Sequence, residues 1–200
     1  MDAEKLKKSM TGRGWDFKHF ATGAEAADYL AGELAGKTVG IGGCGTAEAI
    51  GLYDRLKAVC PDVAWHWKEE DMDGARARAM TTDAYVCSAN AIAETGEIVN
   101  IDGMGNRLAG TMFGHKSVYI VAGVNKVCPD LDAAIYRARN VAGPLRARSM
   151  GKKTPCAAGE LKCWDCRSPE RVCRAMTILM YKMMGMEKCE LILVDEELGM

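Results

Sequence analysis

Apolar positions along this chain switch repeatedly between a helical period and a strand period, and the switches predict a regular succession of elements. Residues 2–11 read as a short charged helix and Trp15 to Phe20 as a strand. From Ala24 to Leu34, the apolar residues Ala27, Leu30, Ala31 and Leu34 fall at i, i+3, i+4 and i+7, one face of a helix. Thr38 to Ile41 is a short strand running into a glycine-rich turn. Thr46 then reads as the cap of a helix reaching about Ala58, with Glu48 early, where the helix dipole favours negative charge. Pro61-Asp62 breaks the chain before a strand over Val63 to Trp67.

Met72 to Met80 is helix-like and Ala84 to Ser88 is a buried-type strand. Residues 91–101 read as a β-hairpin turning at Thr95-Gly96, and a short helix is expected over 104–111. Ser117 to Gly123 is the clearest buried strand, and Leu131, Ile135 and Ala138 mark a further helix. Residues 151–174 form a Cys-rich insert, followed by strands over Ala175–Tyr181 and Glu190–Val194. Strands separated by single helices mean βαβ units. The expected fold is therefore α/β, a mainly parallel Rossmann-like sheet with helices on both faces, carrying a hairpin and the C-terminal insert. A single domain over 1–200 is expected, with 1–35 as an N-terminal helix-strand-helix segment.

Charge narrows the partners. The 26 basic and 27 acidic residues give a net charge of −1. That argues against coating nucleic acid or an anionic membrane, both of which need clustered positive charge. No apolar run reaches the roughly 18 residues of a membrane span. The N-terminal residues 1–8 carry no apolar signal core, so a cytoplasmic chain with reduced thiols is expected. Nine cysteines are many for such a chain. Cys60, Cys87, Cys128 and Cys189 read as small hydrophobes.

Three segments carry chemistry, and ligands in such sheets gather at the carboxyl ends of strands. The first, Gly40-Ile41-Gly42-Gly43-Cys44-Gly45-Thr46, follows a strand and opens a helix. Its glycines let backbone N–H groups approach an anion. Phosphate or carboxylate binding, dinucleotide binding and a purely structural turn all remain open for it. The second, residues 88–107, gathers Asn90, Glu94, Asp102, Asn106 and Arg107. The arginine offers a clamp for an anion, and Glu94 or Asp102 a base or nucleophile. A solvated hairpin tip and an Asp102–Arg107 pair are the bland alternatives. Lys126, after the strong strand, is a further candidate for an anion.

The third is Cys156-x6-Cys163-x2-Cys166-x6-Cys173. Four thiols symmetric about a CxxC point to a metal: a [4Fe–4S] cluster, or zinc as the alternative. Free or redox-active thiols remain open.

These residues resemble a known family. The run Ala84 to Arg107 (AYVCSANAIAETGEIVNIDGMGNR) is similar to the signature of the LUD-domain (lactate utilisation protein) family. So are Gly40-Ile41-Gly42-Gly43, His66-Trp67-Lys68, Gly123-Val124-Asn125-Lys126 and Arg139-Asn140-Val141-Ala142-Gly143-Pro144. The resemblance covers about residues 10–195, and the four cysteines place the chain with a stand-alone branch. It implies a fold of the ribose-phosphate isomerase, glucosamine-phosphate deaminase and CoA-transferase type. It also implies a link to L-lactate oxidation, with an iron–sulfur or flavin electron-transfer protein as partner; a homodimer is permitted. On this reading Gly42, Gly43, Cys44, Gly45, Thr46, Asn90, Asn106, Arg107 and Lys126 bind a small organic-acid anion. Glu94-Thr95-Gly96 resembles the Glu-Asn-Gly turn of CoA transferases, which makes Glu94 a candidate nucleophile. Two other classes stand beside the lactate reading. One is a non-catalytic metabolite or redox sensor with a structural zinc. The other is an acyl-CoA or sugar-phosphate enzyme using Glu94.

Overall fold

A computed structural model describes residues 1–200. The chain opens with α1 (Ala3–Gly12), β1 (Asp16–Phe20), α2 (Gly23–Leu34) and β2 (Thr38–Ile41). Next come α3 (Gly45–Ala49), α4 (Leu52–Val59), β3 (Asp62–Trp65), α5 (Met72–Ala79) and β4 (Ala84–Cys87). A hairpin of β5 (Ala91–Ala93) and β6 (Ile98–Asp102) follows, then α6 (Asn106–Met112), β7 (Ser117–Gly123), β8 (Val127–Cys128) and α7 (Leu131–Arg137). A π turn over Ala138–Ala142 joins α7 to α8 (Gly143–Ser149); α9 (Pro155–Ala158), β9 (Ala175–Leu179) and β10 (Lys188–Val194) complete the chain. No helix is long and apolar enough to cross a membrane.

Six strands form one parallel sheet in the order β1-β10-β7-β4-β2-β3. The α/β expectation therefore holds. Strand β7 shows why these residues make a central strand. Successive side chains point to opposite faces, and both faces are covered, so the whole run is apolar. Tyr119 and Val121 enter the core on one face, with Leu30, Leu34 and Ile41. Val118, Ile120 and Ala122 enter the other, with Leu6, Met10 and Trp15 of the N-terminal segment.

The structure departs from the expected pattern in two places. The helix expected over 46–58 is two helices, because Gly51 sits at φ +63° and turns the chain between α3 and α4. The cap of α3 is Cys44, whose Sγ accepts from the Ala47 N–H at 3.2 Å; Thr46 lies inside the first turn. The hairpin does not join the main sheet. With β8 and β9 it builds a second, mixed sheet in the order β8-β5-β6-β9. This second sheet stands over the carboxyl ends of the main strands and makes a pocket possible there.

Candidate functional site

At the carboxyl ends of β2, β4 and β7 the chain leaves the sheet as Gly42–Gly45, Ser88–Asn90 and Val124–Lys126. These segments, the far end of the hairpin and α8 surround one cavity of about 880 Å3. Of the residues predicted from sequence, Gly43, Cys44, Gly45, Asn90, Asp102, Asn106, Arg107 and Lys126 all line it. Gly42 and Thr46 support the turn from behind. A Cβ on Gly42 would lie 2.8 Å from Tyr85 Oη, and the Thr46 side chain is buried under Lys126.

Arg107 is buried and already well used. Its backbone N–H and its Nε donate to Asp102, each at 3.1 Å. Its Nη2 donates to Asn90 Oδ1 at 3.0 Å and to the Ile101 carbonyl at 2.7 Å. Only Nη1 has no protein acceptor and can face a ligand. Asn90 fixes the floor: its Oδ1 accepts from the Ile101 N–H at 2.7 Å, and Asn100 Oδ1 accepts from the Asn90 N–H at 2.9 Å.

Lys126 is 3% exposed. Its Nζ donates to Ser88 Oγ at 2.9 Å and Thr46 Oγ1 at 3.1 Å, and it pairs with no carboxylate. Burial brings its pKa down to about 8; the Cys44 thiol opposes this, while the nearby Arg137 and Arg107 charges add to it. Arg137, beneath the hairpin, donates to the backbone oxygens of Asn125, Asn90 and Met200.

Glu94 is not at this cavity. Its Oε2 accepts from Lys5 Nζ at 2.9 Å and its Oε1 from the Asp2 N–H at 3.1 Å, and the lysine holds its carboxyl below the usual range. The cause is the length of β5. Asn90 and Glu94 lie at opposite ends of that strand, and four residues of extended chain span about 13 Å. A nucleophile at Glu94 would face α1, away from Arg107 and the glycine turn.

Several residues of the site were not singled out from sequence. Arg146 on α8 lines the cavity with its guanidinium 5.0 Å from the Trp67 ring centroid. Burial lowers its pKa, with the Arg107 charge adding to the effect. Arg76 on α5 lines it too. His66, named above only within the His66-Trp67-Lys68 motif, is buried but reaches the cavity wall; burial first, then the Arg76 and Arg146 charges, lower its pKa. Basic residues on helices usually mark a solvated face, so sequence held no signal for Arg76 or Arg146 beyond the Arg139–Pro144 run nearby.

A model of the LUD domain matches residues 3–194. The chain belongs to the LUD-domain family. No curated protein matches it. Among solved structures it is similar to a DUF162 family protein from Deinococcus radiodurans. The identity is 13%, the match covers 96% of this chain and 94% of that one, and the TM-score is 0.55. At that identity the likeness speaks for the fold, a Rossmann-like α/β sheet with a second sheet.

In this LUD-domain chain the insert folds back onto α8. Cys156, Cys163, Cys166 and Cys173 are all free and half-buried, and all four line one small cavity of about 20 Å3. Thr154 Oγ1 lies 3.3 Å from Cys156 Sγ, and Arg139 Nη2 donates to Cys163 Sγ at 3.7 Å. No three of the thiols stand in metal-holding geometry. The volume suits about one water-sized occupant. Arg171 ties the insert together, donating to the carbonyls of Cys166 and Cys173, each at 2.8 Å. Gly143, Arg171, Val172 and Cys173 line both cavities, so the insert forms part of the wall of the larger one. The other cysteines behave as small hydrophobes: Cys87 and Cys189 pack in the main core, Cys128 under the hairpin, and Cys60 donates its S–H to the Leu34 carbonyl.

Proposed function

We propose that the large cavity binds a small organic-acid anion of the kind handled in lactate utilisation. One observation carries this reading. Lys126 and Arg146 face the cavity without a carboxylate partner, and only one acceptor-free edge of Arg107 joins them. Buried cations are normally paired, so an open volume edged by the buried Lys126 and the half-buried Arg146 suits an anionic ligand. Asp102 is engaged by Arg107, so its role is to hold the clamp rather than to move a proton.

The four insert thiols are the residues that would hold an inorganic centre. An all-sulfur donor set fits a [4Fe–4S] cluster or zinc and disfavours hard cations. Such a centre would supply electron transfer if a cluster, and only structure if zinc. The 20 Å3 volume favours the second reading, a single ion, because a cubane would require the insert to open.

Titration calorimetry with L-lactate and pyruvate tests the anion reading. Binding that weakens at least tenfold in Arg146→Ala supports it. Absence of binding at millimolar carboxylate overturns it. Metal analysis of anaerobically purified protein, with a visible spectrum, decides the centre: broad absorbance near ~400 nm marks a cluster, and colourless protein with one zinc per chain marks zinc.

A further inference from the structure

Anion binding alone does not account for the surroundings of Lys126. An ammonium that served only as an anchor would be expected beside a carboxylate or open to water. Lys126 has neither. It projects from the turn after β7 into a buried position whose acceptors are two hydroxyls, Ser88 Oγ and Thr46 Oγ1, themselves 3.1 Å apart. Hydroxyls donate as readily as they accept, so this pair satisfies a neutral amine as well as an ammonium. The fixed charges of Arg137 and Arg107 nearby favour the neutral form, as does burial. The same cavity offers Arg146 and the free edge of Arg107 as anchors for a carboxylate.

We propose that Lys126 is a carbonyl-condensing amine that forms an imine with a 2-oxo acid held in this cavity. The proposal rests on the anion-binding reading and names the substrate class for it. The neutral nitrogen attacks the ketone carbon, forming the C–N bond, and the carbonyl oxygen takes up a proton given by the amine. The resulting carbinolamine loses that oxygen as water, with the second amine proton, and leaves C=N. Amine plus ketone give imine plus water, with no oxidant or reductant. Ser88 Oγ, 2.9 Å from Nζ, stands where a hydroxyl can accept the amine proton and return one to the oxygen.

The test is reductive trapping on the full chain with pyruvate and cyanoborohydride at neutral pH, read by intact mass and peptide mapping. One adduct is expected, heavier by pyruvic acid less one oxygen, on the peptide holding Lys126. An amine of pKa about 8 is neutral roughly three-hundredfold more often at that pH than an ordinary lysine, so trapping should outpace that at exposed lysines by a similar factor. Lys126→Arg should abolish the adduct, and Ser88→Ala should slow it at least tenfold. The proposal is overturned if pyruvate binds by calorimetry but no selective adduct forms, or if the adduct survives in Lys126→Arg. If Lys126→Arg does not fold, the mapped position in the unaltered chain decides. Failure of pyruvate to bind at all is the separate failure of the anion reading, and removes the proposal with it.

Discussion

Arg107 and Asp102 meet across the floor of the cavity, Nη2 to Oδ1 at 2.9 Å, while the Arg107 backbone N–H also reaches the same carboxylate. Both side chains are largely buried. Asp102→Asn keeps the shape and leaves the guanidinium without its counter-charge. We expect a loss of about 3 kcal/mol, at the low end for breaking a buried pair because Asp102 keeps some contact with water. Urea unfolding measures it. A loss below about 1 kcal/mol would show that solvent already compensates the pair.

Glu94 gives the opposite expectation. Its partner Lys5 is half exposed, and the pair lies at the outer end of the hairpin. Glu94→Gln should change stability by no more than about 1 kcal/mol and leave carboxylate binding unaltered. A loss of ligand binding in this variant would mean that the hairpin tip, and not its base, carries the chemistry.

The buried amine makes stability depend on pH with a definite sign. Its folded pKa, about 8, lies below the ordinary lysine value. Between the two values the unfolded chain binds more protons, so stability rises with pH in that window; below about 8 both states are protonated and the cost is constant. Lys126→Met removes the charge, and Ser88 and Thr46 retain each other as partners. It should stabilise the protein at pH 7 by about 3 kcal/mol, and the advantage should shrink as pH passes 8 towards 10.5. Thermal melts of both proteins across that range provide the measurement. A pH-independent difference would place the amine in water.

The insert should respond to its thiols as a unit. The double change Cys163→Ser with Cys166→Ser should abolish metal content and lower the melting temperature. Cys60→Ser, whose thiol bonds the Leu34 carbonyl far from the insert, should retain the metal. Equal metal content in both variants would remove the inorganic centre.

Much of the scaffold was legible because its physics is local. Alternating periods announced the βαβ units, and the unbroken apolar run 118–122 announced a strand covered on both faces. The site was legible where backbone direction decided it: Gly43, Asn90, Arg107 and Lys126 all follow strand ends. It failed where geometry depended on distance along a strand, as with Glu94, or on a helix packing back, as with Arg146. Likewise, β8 has two residues and no pattern of its own; only its neighbour β5 makes it a strand. Gly40 shows the same limit from the other side. Sequence shows a glycine in a loop motif, whereas the structure shows that a Cβ there would lie 2.4 Å from the Ala79 carbonyl, so α5 rests directly on β2.

Arg171, Val172 and Cys173, with Gly143 of α8, form a wall common to the two chambers of this molecule. A shift of the Cys173 backbone therefore alters the lining of both chambers at once.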